Sequence, residues 1–158
     1  MKTVGFLTVI LMMTVSVCGG EAETEGEDLA RAILDCGKAA SPKAILMTMD
    51  DISRIKFKKG APGKKQPNDL LKMVNNRTAK DIASFAERLK TIGVVTFECI
   101  GYAPESVGDI DMPYRTFKVV VSKNEKESKV LYSFSFDAMK IGNSWKYAEN
   151  LHFNGAVR

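Results

Sequence analysis

Two periods divide this chain. Between Leu29 and Gly93 apolar residues recur every three or four positions, and from Val94 onward they alternate with polar ones. In the first part Leu29, Ala30, Ile33 and Leu34 share a helical face, and Gly37 reads as its stop. Ser41-Pro42 reads as the cap and first position of a second helix, with Ile45, Leu46, Met49 and Ile52 behind it. Asn68 reads as the cap of a short helix carrying Leu70, Leu71, Met73 and Val74. Thr78 reads as the next cap, with Asp81 three residues on to return a bond to its backbone N–H. That last helix has Ile82, Phe85, Ala86 and Leu89 on one side, Lys80, Glu87 and Lys90 on the other, and Gly93 as its end.

The alternating part predicts four strands, over residues 94–102, 115–122, 130–141 and 144–153. A polar hairpin loop covers 122–128, Gly142-Asn143 forms a tight turn, and 103–113 is a long connection. Alternation assigns the faces. Phe117, Val119 and Val121 point one way in the second strand, and Tyr132, Phe134, Phe136 and Ala138 in the third. In the fourth, Trp145, Tyr147, Glu149, Leu151 and Phe153 share a side, against Lys146, Asn150 and His152. One rich face per strand describes a sheet covered on one side. The predicted fold class is therefore α+β, with N-terminal helices packed on one face of a curved, four-stranded antiparallel sheet over residues 29–158.

The chain before Leu29 belongs to neither period. Lys2 precedes an apolar run over residues 4–17, shorter than the about twenty residues a membrane-spanning helix needs. With small residues after it, this reads as a secretory signal over residues 1–20, so the protein is expected to be periplasmic or extracellular. "VSVCGG" resembles a bacterial lipoprotein signal in which Cys18 becomes the lipid-bearing first residue. It departs from that pattern at Val17, and simple cleavage after Gly20 or Ala22 stays open. Residues 21–28, with five acids and no large apolar residue, read as a tether. In an oxidising compartment Cys36 and Cys99 can form a disulfide, worth about 4 kcal/mol. The alternative is two small buried side chains on separate elements.

Helices followed by a meander, ending in "IGNSWKYAENLHF" with its G-x-x-W-K turn, resemble the cone-shaped nuclear-transport-factor-two-like superfamily and its exported bacterial members. The resemblance spans residues 27–153. It implies a cone that holds a small ligand, docks a partner or, in some members, performs isomerase or dehydratase chemistry. It also implies that two copies can pair through the open sheet face. The lysine-rich loop of residues 56–66 belongs to no part of that pattern. Fold analogy does not choose among these functions.

The candidate ligand site follows from the rich face: Trp145, Tyr147, Glu149, Tyr132 and Phe134. A carboxylate among those aromatics would be partly desolvated, which raises its pKa and suits a general base. Ketosteroid isomerase, in the same superfamily, uses an acid and a tyrosine in such a cavity. Glu149 is thus the one catalytic candidate, against a plainer reading as a rim residue or an ion-pair partner of a helix lysine. "RIKFKKGAPGKKQ" is a loop with six positive charges and no acid. Its Lys56, Lys58, Lys59, Lys64 and Lys65 are candidates for contact with an anionic envelope component or an acidic protein, or are simply solvated. His152 is the only histidine, which excludes a multi-histidine metal site and a histidine relay, and no metal or cofactor is expected. Export and a basic loop with no interleaved aromatic except Phe57 argue against nucleic acid; a membrane is reached only through a lipid on Cys18. Asn76-Arg77-Thr78 has the form of a glycosylation acceptor and is read as part of a helix cap. The expected function is that of an exported binding protein. The alternatives are an inhibitor or immunity-type partner of another exported protein, and an isomerase-like enzyme built on Glu149.

Overall fold

A computed structural model describes residues 25–60, 65–105, 109–125 and 128–157. The signal segment, Cys18, residues 21–24 and Lys64 lie outside them. Among the described residues, α1 (Glu27–Ala39), a single 3-10 turn (Lys43–Ile45), α2 (Met49–Ser53) and α3 (Pro67–Ile92) precede the strands. The strands β1 (Thr96–Glu105), β2 (Tyr114–Glu125), β3 (Ser128–Ile141) and β4 (Ser144–Ala156) form one open antiparallel sheet in the order β1-β2-β3-β4. The α+β class is as expected.

The main core joins α1 and the second half of α3 to the predicted rich face. Phe117, Val119, Val121, Phe134, Phe136 and Ala138 are buried there with Ile33, Ile82, Phe85 and Leu89. The Phe85 ring meets Phe134 at 4.9 Å between centroids. Full burial of one such ring stabilises the fold by about 2–3 kcal/mol.

The helices differ from their expected boundaries for local reasons. Gly37 is inside α1, because α1 approaches α3 there; the chain turns at Ala40 instead, in the left-handed region at φ 50°. After Ser41-Pro42 only the 3-10 turn Lys43–Ile45 forms, not the expected helix through Ile52. Thr48 interrupts the apolar spacing and caps α2, its hydroxyl accepting from the Asp51 N–H while the Asp51 carboxylate accepts from the Thr48 N–H. Met47 is consequently buried and Met49 exposed. Asn68 and Thr78 cap nothing. α3 begins with Pro67 at its first turn and runs on through Thr78, whose hydroxyl donates to the Val74 carbonyl at 3.0 Å. Asparagine 76, arginine 77 and threonine 78 are therefore mid-helix residues.

The 26-residue length of α3 has a structural use. Its second half packs on the main core, while Leu70, Leu71 and Val74 join a second cluster. That cluster holds Met47, Ile52, Tyr114, Met139, Ile141 and Ala148. Tyr114 and Met139 are cross-strand partners on the parity opposite to Phe117 and Ala138. At this end the sheet is covered on both sides, and α3 passes from one side to the other beside β4.

The acidic stretch is absorbed earlier than expected. Glu25 pairs with Arg115 and Lys140, and α1 begins at Glu27, with Glu27 and Asp28 at its positive end. The described part of the acidic stretch, from Glu25, is thus paired to the sheet and continues into α1.

Candidate functional site

The five aromatic-face residues do not share one cavity, and a register shift is the reason. Tyr147 pairs with Ala138, but the next pair is Glu149 with Asp137, leaving Ala148 as an extra residue on β4. Such a bulge sends the following side chain to the opposite face. Glu149 leaves the side of Trp145 and Tyr147; a second irregularity, where Asn150 adopts φ 60°, returns Phe153 to pair with Phe134. Phe134 and Tyr147 are sealed in the core, the Tyr147 hydroxyl donating to Asp81. Tyr132 is half-buried against Phe153, with ring centroids 5.9 Å apart. His152 is exposed, as its parity predicted.

Glu149 reaches an apolar cavity of about 120 Å³ on the second-cluster side. Its walls include Met47, Leu70, Met73, Val74 and Met139, with Tyr114 at the polar end. There the Glu149 carboxylate accepts from the Arg77 guanidinium and, at 3.3 Å, from the Tyr114 hydroxyl. Glu149 is thus the ion-paired residue of the plainer reading, with Arg77 in place of a lysine, and it also lines a cavity.

The cavity is roofed by two segments left unexplained by the alternation. Phe57 and Ile110 form an antiparallel bridge. Around it the Lys58 N–H donates to the Asp109 carbonyl at 3.0 Å and the Asp111 N–H to the Lys56 carbonyl at 2.9 Å. Along this ribbon Ile55 and Phe57 face the cavity, and Lys56 and Lys58 face solvent. Lys59 is exposed, and the exposed Lys65 reaches the Met73 sulfur at 2.9 Å. Lys56 and Lys58 are the outer face of this lid, opposite Asp111 and Asp109.

A second cavity, of about 300 Å³, lies beside Trp145 on the other side of the sheet. Glu25, Gly26, Asp28, Lys140, Asn143 and Ser144 line it with the indole. Tyr114 and Arg115 are successive residues of β2, as Met139 and Lys140 are of β3, so each pair divides between the two sides. Arg115 and Lys140 were missed in the sequence, although extending the parity of Phe117 and Ala138 places both charges on the rich face.

Cys36 and Cys99 are not joined by a disulfide. Another bulge, between Phe97 and Cys99, keeps Phe97 on the core side opposite Val121 and pairs Cys99 with Val120. Cross-strand partners share a face, so Cys99 is turned from the side where Cys36 is buried. Burial pushes the Cys36 thiol above its ordinary pKa. Among the described residues no group of three metal-ligating side chains comes together, and no helix is long and apolar enough to cross a membrane.

No protein-family model matches this chain, and neither a curated protein nor a solved structure matches it. The functional reading therefore rests on the two cavities and on the sequence.

Proposed function

We propose that this chain is an exported binding protein whose ligand site is the lidded cavity ending at Glu149. The observation that carries this reading is a largely apolar, partly open pocket roofed by a separate ribbon, with the Arg77-paired Glu149 carboxylate at its end. Its volume of about 120 Å³ approaches that of cavities that take a benzene-sized molecule. Three methionines in the wall allow it to adapt to its occupant. The fitting ligand class is a small aromatic or aliphatic body bearing one hydrogen-bond donor for Glu149. The apolar run at residues 4–17 supports export. Helices followed by a meander support the nuclear-transport-factor-two-like reading.

Phenol is the simplest probe. A ligand that binds only the folded state raises the unfolding temperature in a saturable way. Phenol should do so, toluene should do so less, and Glu149→Gln should reduce the difference between them. A Val74→Trp substitution, which fills the cavity, should abolish both effects. No saturable shift with either compound sinks the proposal.

A second reading shares the site. The Tyr114–Glu149 pair, at the end of an apolar cavity and beside Arg77, is an acid and tyrosine arrangement that supports isomerase-like chemistry on a bound carbonyl compound. Glu149→Gln separates the readings: an enzyme loses turnover of a ketone substrate while still binding it, and a binding protein has no turnover to lose.

A further inference from the structure

At the cavity beside Trp145 two cations are already arranged around a carboxylate, Lys140 in the cavity wall and Arg115 behind it. Glu25 Oε1 lies 3.0 Å from Lys140 Nζ, and its Oε2 lies 3.0 Å from Arg115 Nη1. Arg115 does not depend on Glu25 for its position. Its guanidinium is held 3.8 Å from the Tyr102 ring centre and 4.9 Å from that of Trp145, a stacked cation between two aromatic faces. Lys140 lies 5.7 Å from the same indole ring. The Trp145 side chain is buried, and its indole N–H closes no hydrogen bond among the described residues. A buried donor without a partner costs roughly 1–3 kcal/mol, so a site that retains one calls for an explanation.

Glu25 satisfies this site incompletely. Lys140 first, then the Trp145 indole and Arg115, hold the Glu25 carboxyl below its ordinary range against a small desolvation cost. One carboxylate thus meets two cations, and the indole N–H, close enough to lower its pKa, closes no hydrogen bond of ordinary geometry to it. About 300 Å³ of space lies beside the Trp145 side chain, walled by Asp28, Asn143 and Ser144. Those groups offer hydrogen bonds to a hydroxyl and nothing further to Glu25.

We infer that Arg115, Lys140 and the Trp145 indole N–H form a binding site for the carboxylate of a small hydroxy acid, occupied in cis by Glu25. The ligand carboxylate replaces that of Glu25 between the two cations and accepts from the indole. Its hydroxyl lies toward Ser144, Asn143 and Asp28. A tethered competitor acts at an effective concentration of the order of millimolar. Apparent affinity in the intact chain is reduced by the fraction of molecules in which Glu25 has moved aside.

Trp145 is the only tryptophan, so its fluorescence reports the site directly. The full chain and its Glu25→Ala and Glu25→Gln variants are titrated with lactate, with acetate and inorganic phosphate as comparators at constant ionic strength. Circular dichroism verifies that each variant is folded. At least one Glu25 variant should bind lactate about tenfold or more tightly than the intact chain. Lactate should bind more tightly than acetate, and Arg115→Met or Lys140→Met added to the Glu25 variant should abolish saturation. The proposal is overturned if affinity is unchanged in both folded Glu25 variants, if phosphate binds as tightly as lactate, or if binding survives loss of both cations. The phenol experiment reads the opposite side of the sheet, so either site can fail without the other.

Discussion

The Tyr147 hydroxyl donates its hydrogen bond to Asp81, and through that bond the middle of α3 holds the middle of β4. The ring is sealed in the core while the carboxylate is only half-buried. Tyr147→Phe should therefore cost about 1.5 kcal/mol, the lower end for a bond to a charged group because that group is half-exposed.

The same pair gives a pH prediction. Burial, and then the Asp81 carboxylate, raise the Tyr147 phenol above its ordinary 10.0. A raised folded value means the contribution is whole below about pH 10 and is lost as pH rises beyond it. In urea unfolding, the stability gap between wild type and Tyr147→Phe should be constant from pH 7 to about 10 and shrink above that. Parallel curves through pH 11 would refute the assignment.

Asp51 supplies the acid counterpart. Burial alone would raise its carboxyl, but the Thr48 backbone and hydroxyl together with Lys146 outweigh it and hold the pKa below the ordinary 3.8. A depressed folded value gives stability that is present above about pH 4 and lost as pH falls below it. Asp51→Ala should cost about 1–2 kcal/mol at pH 7 through loss of the cap. The gap to wild type should narrow by pH 3 in the same unfolding assay.

Two positions in and after α1 should respond against helix propensity. Replacing a helix-interior glycine by alanine ordinarily gains about 1 kcal/mol. At Gly37, however, a Cβ would lie 2.6 Å from a Phe85 ring carbon and 2.8 Å from a Leu89 methyl carbon. Overpacking of that kind costs about 1–3 kcal/mol, so Gly37→Ala should destabilise. Ala40 ends the helix in the left-handed region, where glycine is unstrained. Ala40→Gly should stabilise by about 0.5–1 kcal/mol. Thermal unfolding of the two single variants gives both signs.

The separation of Cys36 and Cys99 makes a chemical prediction. Adding a thiol reductant should leave the unfolding midpoint unchanged. A midpoint lowered by reductant would show a bond between them.

Much of the architecture was legible from residue order alone. Spacing of three and four from Leu29 to Leu89, then spacing of two through Phe153, sufficed for helices on a four-stranded sheet and for the core residues Phe117, Phe134 and Phe136. These patterns are local, because a buried face repeats with the period of its own element. The functional geometry was not legible, and the cause is also specific. One extra residue at Ala148 turns Glu149 from the aromatic side into the lidded cavity, and one at Glu98 turns Cys99 away from Cys36. A bulge arises from how two strands pair across the sheet, which no single strand's alternation records. The lid joins segments more than fifty residues apart, and the Glu25 site draws on α1's approach, β2 and β3. Periodicity decided which residues are buried; strand pairing decided which of them meet.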